Sequence, residues 1–356
     1  MPNNPKTIDP LTSSTDPRLT CVDQAKSFCQ LESDWRRLAA QTYFPSPFQS
    51  WEWALLWWRT FLDGQLDCLR VLVFRDATDQ VVGIAPFYLR HLVRLWGVPC
   101  SSHEWRLLGN TGIDYESLTE EPIFLARAGW EARVRDETLS YLLTHVRREW
   151  DYVHLGLQEG AGEGDLPSLP SIPFINVRSG KKIGSALRSL PADWPTFRGQ
   201  LSRSMRDNMT YYPRLLKRHG HQTQIRFLST PSAVEVGLST MIGLHRKRAQ
   251  SDRFQTQHVN HLPDRRHEVF LHDCLAHLAT SGKAFLIELE VDGVPIASQA
   301  FLECRDMLLF YYSGFEPQWQ QYSPLLLIAQ AALEGALARG IRVVNFLPGA
   351  APWKAR

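Results

Sequence analysis

The chain has 356 residues, 44% of them hydrophobic and 21% charged, which is enough apolar material to bury cores in two or three domains. With 39 Lys plus Arg against 37 Asp plus Glu, the formal net charge of +2 excludes a protein that coats polyanions over its whole surface. No apolar run reaches the ~18–20 residues that span a bilayer. The N-terminal stretch MPNNPKTIDPLTSSTDPR has no apolar signal core, and the six cysteines form no C-x-x-C, so the sequence predicts a soluble, cytoplasmic protein in a reducing compartment.

Residues 1–20, rich in Pro, Ser, Thr and Asp, read as a disordered tail. WEWALLWWRTFL (51–62) is apolar nearly all round, the pattern of a buried helix, with Ser50 ahead of it as N-cap. Residues 69–74 and 81–89 read as two strands of an antiparallel hairpin around DATDQ. A loop region follows, then a helix over 130–150 and a strand over 151–157. EGAGEGDLPSLPSIP is a Gly/Pro-rich break, read as a linker or long surface loop.

The second half repeats this grammar. Helices are predicted over 205–219, with Pro213 bending or interrupting the first, over 238–250, and over 267–280, which ends at Ser281-Gly282. Strands 285–291 and 294–303 join across Asp292-Gly293, a strong hairpin signal. A strand over 307–313 leads to a helix over 324–339 that opens on Pro324 and closes at Gly340, and a strand over 341–347 follows. Hairpin, helix and strand thus occur twice. Each strand–helix–strand end requires a right-handed crossover and a locally parallel pair. The fold class is a mixed α/β (α+β) layer built from a duplicated unit, divided as a tail 1–20, a first domain 21–190 and a second domain 191–356.

Several chemical signatures are absent: there is no G-x-x-x-x-G-K-[ST], no G-x-S-x-G and no H-E-x-x-H. The run from Gly160 to Gly164 is acidic and leads into Pro167, so it has no dinucleotide role. His267, His272 and His277 are five apart and rotate around a helix, so with His258 and His261 they read as surface and loop histidines, and no metal is expected. Arg203, Arg206, Arg214, Lys217, Arg218 and Arg226 face one acid, Asp207, with Tyr211 and Tyr212 among them. This stretch fits a nucleic-acid surface, a solvated helix face, or a site for one phosphorylated ligand. In LHRKRAQSDRF (244–254), His245 and Arg248 share a helix face, and a His beside cations is biased toward the neutral state a general base needs. In GFEPQWQQYSPLLLIAQAALEGALARG, a Ser-Pro opens a helix just after a strand. A helix N-terminus there offers unpaired N–H groups and a positive dipole end to a diphosphate.

These pieces resemble the acyl-CoA N-acyltransferase (GNAT) superfamily, and within it the CelD-like and BioF2-like acetyltransferases, relatives of the Fem transferases. The resemblance runs through PFQSWEWALLWWRTF (47–61), IAPFYL (84–89), GNTGIDYESL (109–118), SRSMRDNMTYYPRLLKRHG (202–220) and LHRKRAQSDRF (244–254). It continues in order through DGVPIASQAFLE, YYSGFEPQWQQYSPLLLIAQAALEGALARG and VNFLPGAAPWK. It departs from the family at Leu325, where a Gly is usual after the Pro, and at Asn345, where an Asp is usual.

The resemblance implies tandem GNAT-like domains that move an acyl group from acetyl-CoA or another acyl-CoA to an amine or hydroxyl of a small-molecule or glycan acceptor, in polysaccharide or cell-envelope biosynthesis. The acyl-CoA would lie between parallel strands at 307–314 and 341–347 with its diphosphate at Tyr322-Ser323-Pro324. No metal takes part. His245 would be the base and Tyr312 a catalytic donor; Arg206 and Arg248 would touch the anion, and Tyr312 and Tyr322 would line the cleft. The alternatives are an aminoacyl-tRNA-dependent Fem-type transferase, with RNA on 203–226, and a non-catalytic binding protein. Nucleic acid is otherwise not an expected partner.

Overall fold

The computed structural model describes residues 17–43, 45–95, 98–110, 118–120, 124–155, 185–251 and 260–348. The Gly/Pro-rich break at 159–173 and the segment from Gly349 to Lys354 fall outside these residues.

The first half opens with β1 (Arg18–Val22), so residues 18–20 belong to a strand rather than to the expected tail. The short helices α1 (Ala25–Gln30) and α2 (Glu32–Gln41) follow, then α3 (Trp51–Phe61), whose N-cap Ser50 accepts from the Trp53 N–H as its sequence predicts. The strands β2 (Asp67–Arg75), β3 (Val81–Leu95) and β4 (Val98–Leu107) form an antiparallel meander. The short β5 (Leu125–Ala126) pairs with β3, and α4 (Glu131–Thr144) then crosses over to β6 (Tyr152–His154), which lies parallel to β4. The sheet order is β1-β2-β3-β4-β6.

The second half opens with β7 (Ser185–Ser189), α5 (Trp194–Gln200), α6 (Arg203–Arg218) and the edge strand β8 (Thr223–Leu228). The helices α7 (Pro231–Ala249) and α8 (Arg265–Thr280) lead to β9 (Ala284–Val291), β10 (Val294–Cys304) and β11 (Met307–Phe315). Finally α9 (Pro324–Ala338) crosses over to β12 (Val343–Pro348), which lies parallel to β11. The order β7-β12-β11-β10-β9-β8 repeats that of the first sheet and adds β7 at the edge. Pro213 does not interrupt α6: it lies on the exposed side of a helix whose buried residues are Met209 and Leu216. Helix α7 begins seven residues before its expected start, capped by Thr230, whose hydroxyl accepts from the Ala233 N–H, with Pro231 in the first turn.

The second sheet is covered on both faces. On one face α6 and α9 bury Met209, Leu216, Ile328 and Leu333 against Ile287 and Phe301. On the other, α7 and α8 form a core that is continuous with that of the first half. The join is aromatic. Trp53 of α3 stands edge-on to Phe270 of α8 with centroids 5.0 Å apart, to Phe48 at 4.8 Å and to Tyr311 at 6.1 Å. Each such pair adds about 0.5–1.5 kcal/mol beyond the area it buries.

The approach of α7 to β11 depends on Gly314, where a Cβ would lie 2.2 Å from the His245 N and 2.7 Å from the Met241 O. Gly314→Ala is therefore expected to cost roughly 1–3 kcal/mol by overpacking. Gly243→Ala on α7, where an added methyl meets nothing within 4 Å, is expected to be neutral or slightly stabilising. Urea titrations of both variants check this, and equal effects would contradict the packing.

Candidate active site

Strands β11 and β12 run together only briefly. Met307, Leu308 and Leu309 pair with Val343, Val344 and Asn345, and there the ladder stops, although β11 continues to Phe315. Two local features separate the strands. The buried Asn345 carboxamide oxygen accepts from the Leu347 N–H at 2.7 Å, and Leu347 takes a left-handed φ of +61°. This Asx-type bond replaces a ladder contact and turns β12 aside. On β11 the pairing with β10 shifts so that Tyr311 and Tyr312 together oppose Ala300, a β-bulge. The bulge sends both rings to the face covered by α7, with centroids 4.4 Å apart.

Helix α9 starts beside this gap. Ser323 has φ +46°; its N–H donates to the Gln320 carbonyl at 3.0 Å and its carbonyl accepts from the Leu326 N–H at 2.9 Å. No side chain caps the helix. Leu325 is half-buried and packs on the core beneath α9. Tyr322 is buried, with its hydroxyl 2.7 Å from the His219 Nδ1 and its ring against Trp319. It fixes the turn through those contacts.

His245 is only 1% exposed. A carbonyl can only accept and a backbone N–H can only donate, so its partners set the tautomer. Nδ1–H donates to the Ser313 carbonyl at 3.0 Å, and Nε2 accepts from the His261 N–H at 3.3 Å. Burial pulls the imidazole down to about 4, helped by the nearby His261, Arg248 and Arg246, while the bond to Ser313 opposes the shift. The sequence points to the cations, but burial against Gly314 is the larger cause.

Of the three successive cations on α7, Arg246 pairs with Glu268, and Lys247 pairs with Glu316 at 2.6 Å. Arg248 has no carboxylate partner among the described residues. It is half-buried with its guanidinium 4.9 Å from the Phe315 ring centroid, and burial lowers its pKa. Arg206 donates to the Gly199 and Leu201 carbonyls at 3.1 and 2.7 Å, tying α6 to the end of α5. The seven expected site residues therefore divide between the two faces. Arg206, Tyr322, Ser323 and Pro324 belong to the α6/α9 side, and His245, Tyr312 and Arg248 to the α7 side.

Two contributors lie outside the residues singled out in the sequence. Tyr312 donates its hydroxyl to Glu120 of the first half, and Tyr311 donates to the Leu118 carbonyl in the same segment. Burial and the Glu120 charge hold the Tyr312 phenol well above its ordinary range. The His261 ring tilts against Tyr312 at 5.7 Å. The expectation of surface and loop histidines fails at His267, which is buried, hydrogen-bonded to Asp264 at 2.7 Å and packed edge-on to Phe61. Among the described residues no group of three or more His, Cys, Asp or Glu side chains converges as a metal site, and no helix is long and apolar enough to cross a membrane.

The first half differs at the equivalent of the Ser323 turn. There Glu131, in the first turn of α4, accepts from the Gly129 N–H at 2.8 Å, so a carboxylate occupies the N-terminus of the crossover helix. A cavity of about 10 Å³ between Trp35, Phe48, Trp53 and Thr119 in this half has room for about one water.

The repeated topology, with a crossover helix ending each copy on a parallel pair, defines a duplicated GNAT-like fold. Residues 203–355 match the family described as an Acetyltransferase (GNAT) domain, so the second half carries such a domain. The crystal structure of FemX is similar over 90% of this chain and 88% of that one, with a TM-score of 0.54 at 11% identity. A tandem GNAT protein from the clavulanic acid biosynthesis pathway is matched over 95% of this chain and 93% of its own, with a TM-score of 0.41 and 13% identity. A conserved protein of unknown function from Bacteroides thetaiotaomicron is matched over 95% and 93%, with a TM-score of 0.46 and 8% identity. No curated protein matches the sequence.

The state of His245 makes stability depend on pH. Below about 6.5 the unfolded chain binds a proton that the folded one refuses until about 4. Folding stability should therefore fall as pH drops through that window, by on the order of 3 kcal/mol from this group. Urea titrations at pH 7 and 4.5 measure it, and His245→Gln should flatten the dependence; an unchanged slope would contradict the buried neutral imidazole.

Proposed function

We propose that the protein is an acyltransferase that moves an acyl group from acetyl-CoA or a longer acyl-CoA, held in the second half, to an amine or hydroxyl acceptor. The parting of β11 from β12 beyond Leu309 and Asn345, beside a helix N-terminus, supports this reading as the place for a slot, with the Phe310 and Phe346 rings 4.7 Å apart as one of its walls. On the α9 side, the positive end of the helix suits a diphosphate, with the Leu325 N–H as a donor between Pro324, which has none, and Leu326, whose N–H donates to the Ser323 carbonyl. Through the slot, the Tyr311–Tyr312 bulge leaves a backbone N–H outside the ladder, a donor suited to polarise a thioester carbonyl. Arg248, half-buried without a carboxylate among the described residues, is the cation we assign to an anionic group of donor or acceptor. In the first half the Glu131 carboxylate stands in the first turn of α4 and accepts from the Gly129 N–H, a negative charge that disfavours an anion there.

Transfer is direct. The acceptor nitrogen or oxygen attacks the thioester carbon as a base takes its proton, and the C–S bond breaks with no covalent enzyme intermediate. The CelD-like and BioF2-like resemblance of the sequence supports an acceptor from envelope or polysaccharide chemistry. A Fem-type, aminoacyl-tRNA-dependent reaction is the second reading, favoured by the exposed Arg203, Arg214, Lys217 and Arg218 along α6.

Acetyl-CoA, or a longer CoA thioester, is expected to raise the melting temperature of the full chain, since a ligand of the folded state must do so. Arg248→Gln is expected to weaken binding by about tenfold or more, as loss of a charged hydrogen bond would. Calorimetry without heat for any CoA thioester would remove the acyl-CoA reading and leave a binding protein. Salt-sensitive retardation of charged tRNA would then favour the second reading.

A further inference from the structure

His245 has the right chemistry for a base and the wrong surroundings. Both ring nitrogens are bonded to backbone and the ring is sealed beneath α7, so its one lone pair is already used by the His261 N–H. To take a proton it would have to break that bond and carry a charge in a buried place. What these bonds do is structural. They join Ser313, just past the bulge of β11, to the backbone of His261, through one rigid ring.

The joined residue is better placed than the one that holds it. The His261 imidazole is half-buried rather than sealed, and its ring centre lies 5.7 Å from that of Tyr312 and 6.0 Å from that of His245. Tyr312 donates a hydrogen bond to Glu120 and is held protonated by burial, so it does not compete as a base. The charged and titratable groups around the pair are Glu120 from the first half, Tyr312 on β11, and His245, Arg246 and Arg248 on α7.

We propose that His261 is the catalytic base at the Tyr311–Tyr312 bulge, and that His245 is a positioning residue that holds it there. This rests on the acyl-transfer reading above. A ring nitrogen of His261 accepts the proton of the acceptor N–H or O–H as that atom bonds to the thioester carbon. The C–S electron pair leaves on sulfur, and the imidazolium returns the proton to the thiolate. The Glu120–Tyr312 bond fixes the wall against which the base stands, so the first half completes the site of the second.

The test uses the full chain with acetyl-CoA as probe. Diethyl pyrocarbonate labelling mapped by mass spectrometry should modify His261, with acetyl-CoA slowing the reaction, and should spare His245. Thiol release from acetyl-CoA, with water, amino sugars and amino acids as acceptors, should fall at least 100-fold in kcat for His261→Ala. The acetyl-CoA Kd should stay within threefold, and added imidazole should restore part of the rate. His245→Gln should also lower kcat, but without rescue by imidazole, because the base is present and displaced. Binding with wild-type kcat in His261→Ala, or labelling of His245 in place of His261, overturns this inference and leaves the acyl-transfer reading standing. Failure of wild-type protein to bind any CoA thioester overturns both.

Discussion

A side-chain bond and a backbone irregularity part β11 from β12, and the candidate chemistry depends on that separation. If the Asn345 carboxamide did not take the Leu347 N–H, β12 would have no local reason to leave the ladder after three residues. If β11 had no bulge, Tyr311 and Tyr312 would face opposite sides of the sheet. Among the described residues five non-glycines have a left-handed φ, Asp79, Asp292, Arg305, Ser323 and Leu347, and the last two stand at the start of α9 and the end of β12.

The two copies of the fold differ where their crossover helices begin. Both halves present a crossover helix after a parallel strand, and no side chain caps either one, but α4 carries the Glu131 carboxylate in its first turn after a right-handed Trp130, whereas α9 follows a left-handed Ser323. The first half has become a partner to the second. Its α3 tryptophans form one continuous core with α8, and its segment 118–120 is bound by Tyr311, Tyr312 and, through Thr119, by the Trp53 indole at 2.8 Å. A contact set of this kind makes the halves one folding and functional unit rather than two beads on a linker.

Where local chemistry decides the structure, it could be read directly from the residues. Asp292-Gly293 has φ values of +52° and +79°, the hairpin turn its dipeptide predicts, and Ser50 and Pro324 open their helices as expected. β4 escaped notice because four successive polar residues, Ser101 to Glu104, break the alternation expected of a half-buried strand, and Glu104 and Arg106 are buried there as a pair bonded at 2.8 Å. β8 escaped because it is an edge strand with mostly exposed residues. His245 and Arg248 were visible as a pair on one helix face, but burial of the first and the half-buried stacking of the second come from long-range packing. Glu120 carries no local signal at all; its role exists only because the first half docks on the bulge of the second.

The account is tested most directly by hydrogen–deuterium exchange of the whole chain with and without acetyl-CoA. The expected result is slowed exchange confined to 310–315, 323–327 and 345–348, with little change around the start of α4. Protection centred on 129–134, or none anywhere at saturating ligand, would contradict the claim that the parted strands of the second half form the binding slot.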